Sequence, residues 1–365
     1  MFVLNSDITI GTLRFAGVHE VRIRRSMKTL MDTAIIKLPS LCRISAGKRK
    51  SAVVQTTGEL FKDGDPVTIN LGYNDTSVLS GAATPVIAGN NGGLGTEFQG
   101  FVKRRDLNMP LEVECEGYSY ALRQTKNTGD YTKTTIQVSA LLNKVCAGTG
   151  ITVVCPVDYP LKGFSLSNND GIEVCDFIRE ASAHSLVLFF IAPTVLWCGL
   201  PYTALANGSS VFELPQVNYR LGYNVVKDNG LRERIPSEPI QVILNGKLAT
   251  GEKVFTASKC KAAKRQLKHL TKYVPDNNTL GAFAQEKEYH HNYIGYEGNI
   301  NALLQPFCWP GWMADITDDR YPERNGVYVL EETDVTFGQT GARRVVTVGP
   351  QLNFGTNYLN ALTNG

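Results

Sequence analysis

The chain of 365 residues is short of the patterns that mark chemistry. Its eight cysteines include no C-x-x-C pair, and the closest two, Cys146 and Cys155, match no zinc spacing. Several lie among apolar neighbours, as in "LEVECEGY" and "VLWCGLPY", and read as reduced core residues of a chain made in a cytoplasm. Five histidines fall in no H-E-x-x-H, and no G-x-S-x-G, P-loop or helix-opening G-x-G-x-x-G is found. No catalytic residue, metal or cofactor is therefore assigned. An excess of either charge is also lacking: 37 Lys and Arg stand against 34 Asp and Glu, so net charge singles out no partner. The greasiest run, 186–200, is too short to span a bilayer and contains Pro193. The start has no basic segment followed by an apolar one, so no signal peptide is expected.

What is present is alternation. In "LFKDGDPVTINLGYND" (60–75) a polar turn, Lys62 to Pro66, leads into Val67, Ile69 and Leu71 on one face of a strand. "FQGFVKRR" (98–105) and "LEVECE" (111–116) follow, which suggests an antiparallel meander and an all-β region over 1–122. Between them, 76–97 with "GNNGGLGTE" reads as a loop. Over 123–205 the period changes. Ile136, Leu141, Leu142 and Val145 have helical spacing, Asp170 and Glu173 form a capping-box pattern, and 186–203 reads as a hairpin, making a small α+β unit. Strands return from about 211, and 258–273 reads as a basic helix. Three more alternating segments follow, "FCWPGWMADITDD", "GVYVLEETDVTF" and "ARRVVTVGPQL", before a polar tail at 356–365 that is expected to fray.

Three polar groupings invite a functional reading. In "QEKEYHH" (285–291) Glu286, Glu288, His290 and His291 have metal-ligand chemistry, but adjacent strand residues point apart, so an exposed polar segment is preferred. Glu112, Glu114 and Glu116 share one strand face, where like charges repel, so the face must be wet or meet cations. The expected helix carries Lys259, Lys261, Lys264, Arg265, Lys268 and Lys272 opposite a stripe of Cys260, Ala263, Leu267 and Leu270. Lys261, Lys264, Arg265 and Lys268 are candidates for docking an acidic partner, a solvated face being the plainer reading.

The order of segments resembles the baseplate hub proteins of contractile-tailed phages. "VHEVRIRRSMKTLMDTAIIKLP" is similar to their opening, and "FKDGDPVTINLGYN", "FQGFVKRRD" and "LEVECEGYSYALRQ" to the continuation. "TTIQVSALLNKVCAGTGI" and "FIREASAHSLVLFF" resemble the inserted domain, and "YRLGYNVVKD" the return to a second barrel. Mu-like tail proteins and type VI secretion spike hubs share this layout. The resemblance implies a β-rich α+β fold: two similar antiparallel β-barrel-like tube domains at 1–122 and 206–355, the second with a helical insertion at about 255–290, and an α+β domain at 123–205. It implies a homotrimer forming a pseudo-six-fold ring between a tail tube protein and a central spike protein, in contact with other baseplate proteins. DNA would be passing cargo, Glu112, Glu114 and Glu116 would face the channel, and no stable membrane association would occur. The chain would work in a virion or injection particle. The basic helix and the glycine-rich loop at 89–96 depart from the family pattern.

Two rivals are a tail-borne hydrolase, needing carboxylates across a cleft, and a receptor- or carbohydrate-binding β-protein using Trp309, Trp312 and Tyr321. One residue-level expectation is specific: the wall domain occurs twice. Gly64, "VTINLGYN", "FQGFVKRR" and "LEVECEG" match Gly311, "MADITDD", "GVYVLEETD" and "RRVVTVG".

Overall fold

The alternating segments assemble into one long sheet that carries two packed units. The computed structural model describes residues 4–15, 17–44, 53–73, 94–206, 215–247, 253–258, 260 and 263–351. The first unit contains β1 (Leu4–Ile10), β2 (Leu13–Phe15), β3 (Glu20–Ser26), β4 (Thr33–Leu38), β5 (Leu41–Ile44) and β6 (Val53–Thr56). It closes with β7 (Pro66–Tyr73), β8 (Leu94–Asp106) and β9 (Leu111–Glu116). Ile8, Ile10, Val21, Ile23, Ile36, Val67, Ile69 and Val113 point inward from alternate positions and are almost fully buried. Each such side chain contributes about 1.5–3 kcal/mol when removed from water.

The inserted domain runs through α1 (Ser119–Arg123), β10 (Asn127–Asp130), β11 (Ile136–Gln137), α2 (Val138–Val145), β12 (Thr152–Val154) and β13 (Pro160–Leu161). It continues with β14 (Ser165–Asn169), α3 (Gly171–Ala181), β15 (Val187–Ala192), β16 (Val195–Gly199) and α4 (Pro201–Ala206). The α3 capping box forms as its sequence requires: Asp170 accepts from the Glu173 amide at 2.9 Å, and Glu173 accepts from the Asp170 amide at 3.1 Å.

Then come β17 (Gln216–Arg220), β18 (Val225–Asp228), β19 (Arg232–Arg234), β20 (Ile240–Lys247), β21 (Lys253–Ala257), β22 (Arg265–Lys272) and α5 (Asn277–Asn292). The second unit is completed by β23 (Gly295–Ala302), β24 (Met313–Thr317), β25 (Gly326–Gly338) and β26 (Gly341–Gln351). Strands β20, β21 and β22 form a separate sheet under α5. Val242, Leu244, Leu280, Phe283 and Ala284 share one core with Leu141, Leu142, Val174 and Ile178 of the inserted domain. Residues 240–292 thus pack with the inserted domain, although the sequence reading placed them inside the second β unit.

Two expectations are corrected here. The basic stretch expected as a helix over 258–273 is strand β22 over Arg265–Lys272, paired in parallel with β20 along its whole length. The segment "QEKEYHH", expected to be exposed and extended, is the second half of helix α5, where Glu286 and Glu288 are buried. The 356–365 tail and residues 74–93, which hold most of the glycine-rich loop, lie outside the described residues.

The two β units repeat one topology. In the first, neighbours run β1-β7-β8-β9-β4-β3; in the second, β17-β24-β25-β26-β23-β18. Numbered by chain order among these six strands, both units read first, fourth, fifth, sixth, third, second. The agreement extends to single residues. Gly64 and Gly311 have φ of 89° and 85° and donate their amides to the carbonyls of Val102 and Leu330, whose own amides donate to the carbonyls of Asp65 and Trp312. Directly after Val102 and after Leu330 the register shifts by a bulge, at Lys103 and Glu331. One element differs: β1 runs antiparallel to β7, whereas β17 runs parallel to β24. The units are joined by β3, which pairs antiparallel with β25 over Glu20–Ser26.

Candidate functional site

The sheet across the seam presents one wet face of interleaved charges. Reading across β25, β3, β4, β9 and β8, one row is Thr336, Arg22, Ile35, Glu114 and Arg104, and the next is Gly338, Glu20, Lys37, Glu112 and Asp106. Arg104 lies 2.8 Å from Glu114 and 3.1 Å from Asp106, and Lys37 lies 3.0 Å from Glu20. Hydrogen bonds from Lys37 and then Arg22 hold the Glu20 carboxyl below its ordinary pKa. The face that must be wet or meet cations does both, through cations on the neighbouring strands.

Of the three glutamates expected there, Glu112 and Glu114 are half-buried on this face. Glu116 continues the same face, opposite Thr33, but is fully buried there: it accepts from Ser119 Oγ at 2.8 Å and Arg123 Nε at 3.0 Å, with Lys103 Nζ 3.4 Å away. A strand-end carboxylate next to α1 is covered by that helix, which supplies the donors its burial requires, and alternation alone does not reveal this. Lys264, Arg265 and Lys268 are exposed on or beside β22, and Lys261 lies outside the described residues.

Behind the seam lies a buried charge centre that the sequence reading missed. Arg344 on β26 donates to Glu97 on β8 over 2.6 Å and to the Leu304 carbonyl over 3.0 Å, with both side chains almost wholly buried. Arg25 on β3 lies 3.8 Å from Glu97, with its guanidinium carbon 4.0 Å from the centre of the Trp309 ring. Burial lowers the Arg25 pKa; at Arg344 burial also lowers it, but Glu97, Cys308 and Tyr219 together outweigh burial and the pKa is raised. Burial also pushes the Asp32 carboxyl up to about 7, against the pull of Arg25. The signal was present: in "VRIRRS" and "ARRVVTV", Arg25 and Arg344 occupy the inward register of Val21 and Ile23 and of Ala342 and Val346.

Two further buried carboxylates hold the inserted domain in place. Glu286 accepts from the amides of Tyr202 and Thr203 at 2.9 and 2.8 Å, which caps α4. Glu331 accepts from the Tyr202 hydroxyl at 2.6 Å and lies 2.8 Å from Lys28 Nζ, tying α4 to both β units. These groups are spent on structure. Burial raises the Cys146 thiol to about 12 and likewise raises Cys115 and Cys175, which leaves them poor nucleophiles. Among the described residues no group of three or more His, Cys, Asp or Glu is placed to hold a metal, and no helix is long and apolar enough to cross a membrane. Trp309 and Trp312 are buried, as turn anchors would be, and Tyr321 is exposed.

No protein-family model matches the chain, and no curated protein sequence does. Solved structures do match its fold over nearly the whole length. The 43 kDa tail protein of prophage MuSo2 from Shewanella oneidensis has a TM-score of 0.54 at 12% identity, covering 95% of this chain and 98% of that one. A tail protein from Neisseria meningitidis MC58 gives 0.58 at 11%, covering 95% and 96%. The E. coli c3393 protein, a type VI secretion component described as similar to the T4 tail proteins gp27 and gp5, gives 0.52 at 9%, covering 96% and 77%. The chain therefore has the β-rich fold of these phage tail proteins and of this type VI secretion component.

Proposed function

We propose that the protein is a structural baseplate hub of a phage tail or a related contractile injection machine. The observation that carries this reading is the doubled β unit within a fold shared end to end with tail proteins. A chain with two equivalent units lets three copies present six, which is what a part joining a six-fold tube to a three-fold spike must do. The work lies in walls and interfaces, and buried carboxylates already engaged by amides and arginines fit a chain without catalytic chemistry. In this reading Glu112 and Glu114 face the channel. Arg104 is held by Glu114, so fewer free cations meet the phosphates of passing DNA. The partners are two further copies, the tube protein and the spike protein, with Lys264, Arg265 and Lys268 available to an acidic neighbour. The test is mass and shape: light scattering on the 40.0 kDa chain should give three chains per particle, and electron microscopy a ring with a central hole. A stable dimer would refute it.

A further inference from the structure

The seam inside the chain has a counterpart that the chain leaves open. The seam pairs the second strand of the first unit, β3, with the fifth strand of the second unit, β25. The reciprocal pair is the second strand of the second unit, β18 with its continuation β19, and the fifth strand of the first unit, β8. Among the described residues β19 pairs only with β23, β18 adds to β23 just a single bridge from Val225 to Leu221, and β8 beyond Val102 pairs only with β9. Unpaired edges of this kind are templates for another strand.

The repeat carries the register across. Val102 and Leu330 face Cys115 and Val348, which face Ala34 and Gly298. One residue earlier, Thr33 faces Arg24 and Glu297 faces Arg232. Arg232, Glu233, Arg234 and Ile235 thus take the places of Arg24, Arg25, Ser26 and Met27, while Arg104, Arg105 and Asp106 take those of Glu332, Thr333 and Asp334. In the seam Arg24 faces Asp334, with Nε and Oδ1 3.7 Å apart. Its counterpart sets Arg232 against Asp106. The pair Arg25 and Thr333 becomes Glu233 and Arg105, with Lys62 at the place of Trp309; the Arg105 guanidinium is already held by Asp63 at 3.1 Å and the Phe61 carbonyl at 2.6 Å, which leaves Lys62 as the cation for Glu233. Arg104 and Arg234 also face each other, but each is held by its own carboxylate, Glu114 at 2.8 Å and Glu297 at 3.3 Å. Met27, 2% exposed in the seam, donates its amide to Glu331 over 2.8 Å. Its counterpart Ile235 is 65% exposed, an apolar side chain with nothing over it in a single chain.

From this we infer that the β18–β19 edge of one copy adds antiparallel to Arg104–Asp106 of β8 in a second copy, with Arg232 on Asp106, Glu233 beside Lys62, and Ile235 covered. The inference rests on the ring reading and specifies its joint. The contact is head-to-tail, using two different edges, so it propagates and closes when the chain's own seam and the new joint turn by similar angles.

The test is a cysteine pair in the full chain, Asp106→Cys with Arg232→Cys, oxidised while light scattering reports the particle mass. Residues directly opposite across antiparallel strands are within disulfide reach. The expected result is a reductant-sensitive ladder at two and three chain masses in the double variant and in neither single variant. Trimers without that ladder would overturn the joint and leave the ring reading standing. Monomers at every concentration, without a ladder, would overturn both. A charge exchange checks the result without cysteines: Arg232→Asp should weaken trimer formation about tenfold or more, and adding Asp106→Arg should recover most of it. Folded variants that show no recovery count against the joint.

Discussion

Asp32 sits where burial outweighs the pull of a nearby arginine, and its pKa near 7 makes stability depend on pH. Between its ordinary value of 3.8 and about 7 the folded protein keeps a proton that the unfolded chain releases. The Asp32 contribution to stability therefore falls as pH rises through this window, and the penalty is complete above it. Asp32→Asn should stabilise the protein at pH 8 by up to roughly 4 kcal/mol, at about 1.4 kcal/mol per pKa unit, and by much less at pH 4. Urea melts at the two pH values check this, and an equal change at both would refute it. At the same scale, the carboxylates show where sequence reading runs out. Glu112 and Glu114 are on the wet face that alternation assigns to them, whereas Glu116, two residues on along the same face, is covered by Ser119 and Arg123 of the following helix. Alternation gives direction along a strand, not what waits at its end.

Among the elements, the turns ahead of β7 and β24 were legible because glycine with positive φ is demanded there. A Cβ at Gly64 would come 3.3 Å from the Tyr120 hydroxyl, but one at Gly311 would come 2.6 Å from the ring of buried Phe189. Gly64→Ala should therefore cost about 1 kcal/mol for backbone strain, and Gly311→Ala roughly 2–4 kcal/mol as the ring is displaced as well. Thermal melts of the two variants should rank them in that order. Helices α2 and α3 were legible from spacing and the capping box. Strand β22 was not, because Lys, Arg, Ala and Leu favour a helix and recur at helical spacing, while pairing along all of β20 overrides that preference. Helix α5 was missed for the opposite reason. It buries Glu286 and Glu288 among its inward residues, so no apolar stripe announces it.

For the whole molecule, the doubling of the β unit could be read from turn, strand, loop, strand, strand in both halves, and the strand order agrees. Absent from the sequence was the seam, since Arg25, Glu97 and Arg344 lie far apart in the chain and meet only when the two units share a sheet. Glu97 is the carboxylate facing both arginines, so Glu97→Gln should cost roughly 3–5 kcal/mol, as expected when a buried ion pair loses one partner. Because the centre belongs to both units, calorimetry should show their shared transition moving as one, and a transition that splits would refute that coupling.

The reversal of the first strand gives the doubled wall a sense of parity. A binding partner that touches only the five strands from β7 through β8, β9 and β4 to β3 meets the same backbone pattern in each unit, and counts two per chain. A partner that reaches the first strand meets β1 in one direction and β17 in the other, and counts one. The fold thus holds a two-for-one gear, with the choice between ratios made by how far across the sheet a neighbour extends.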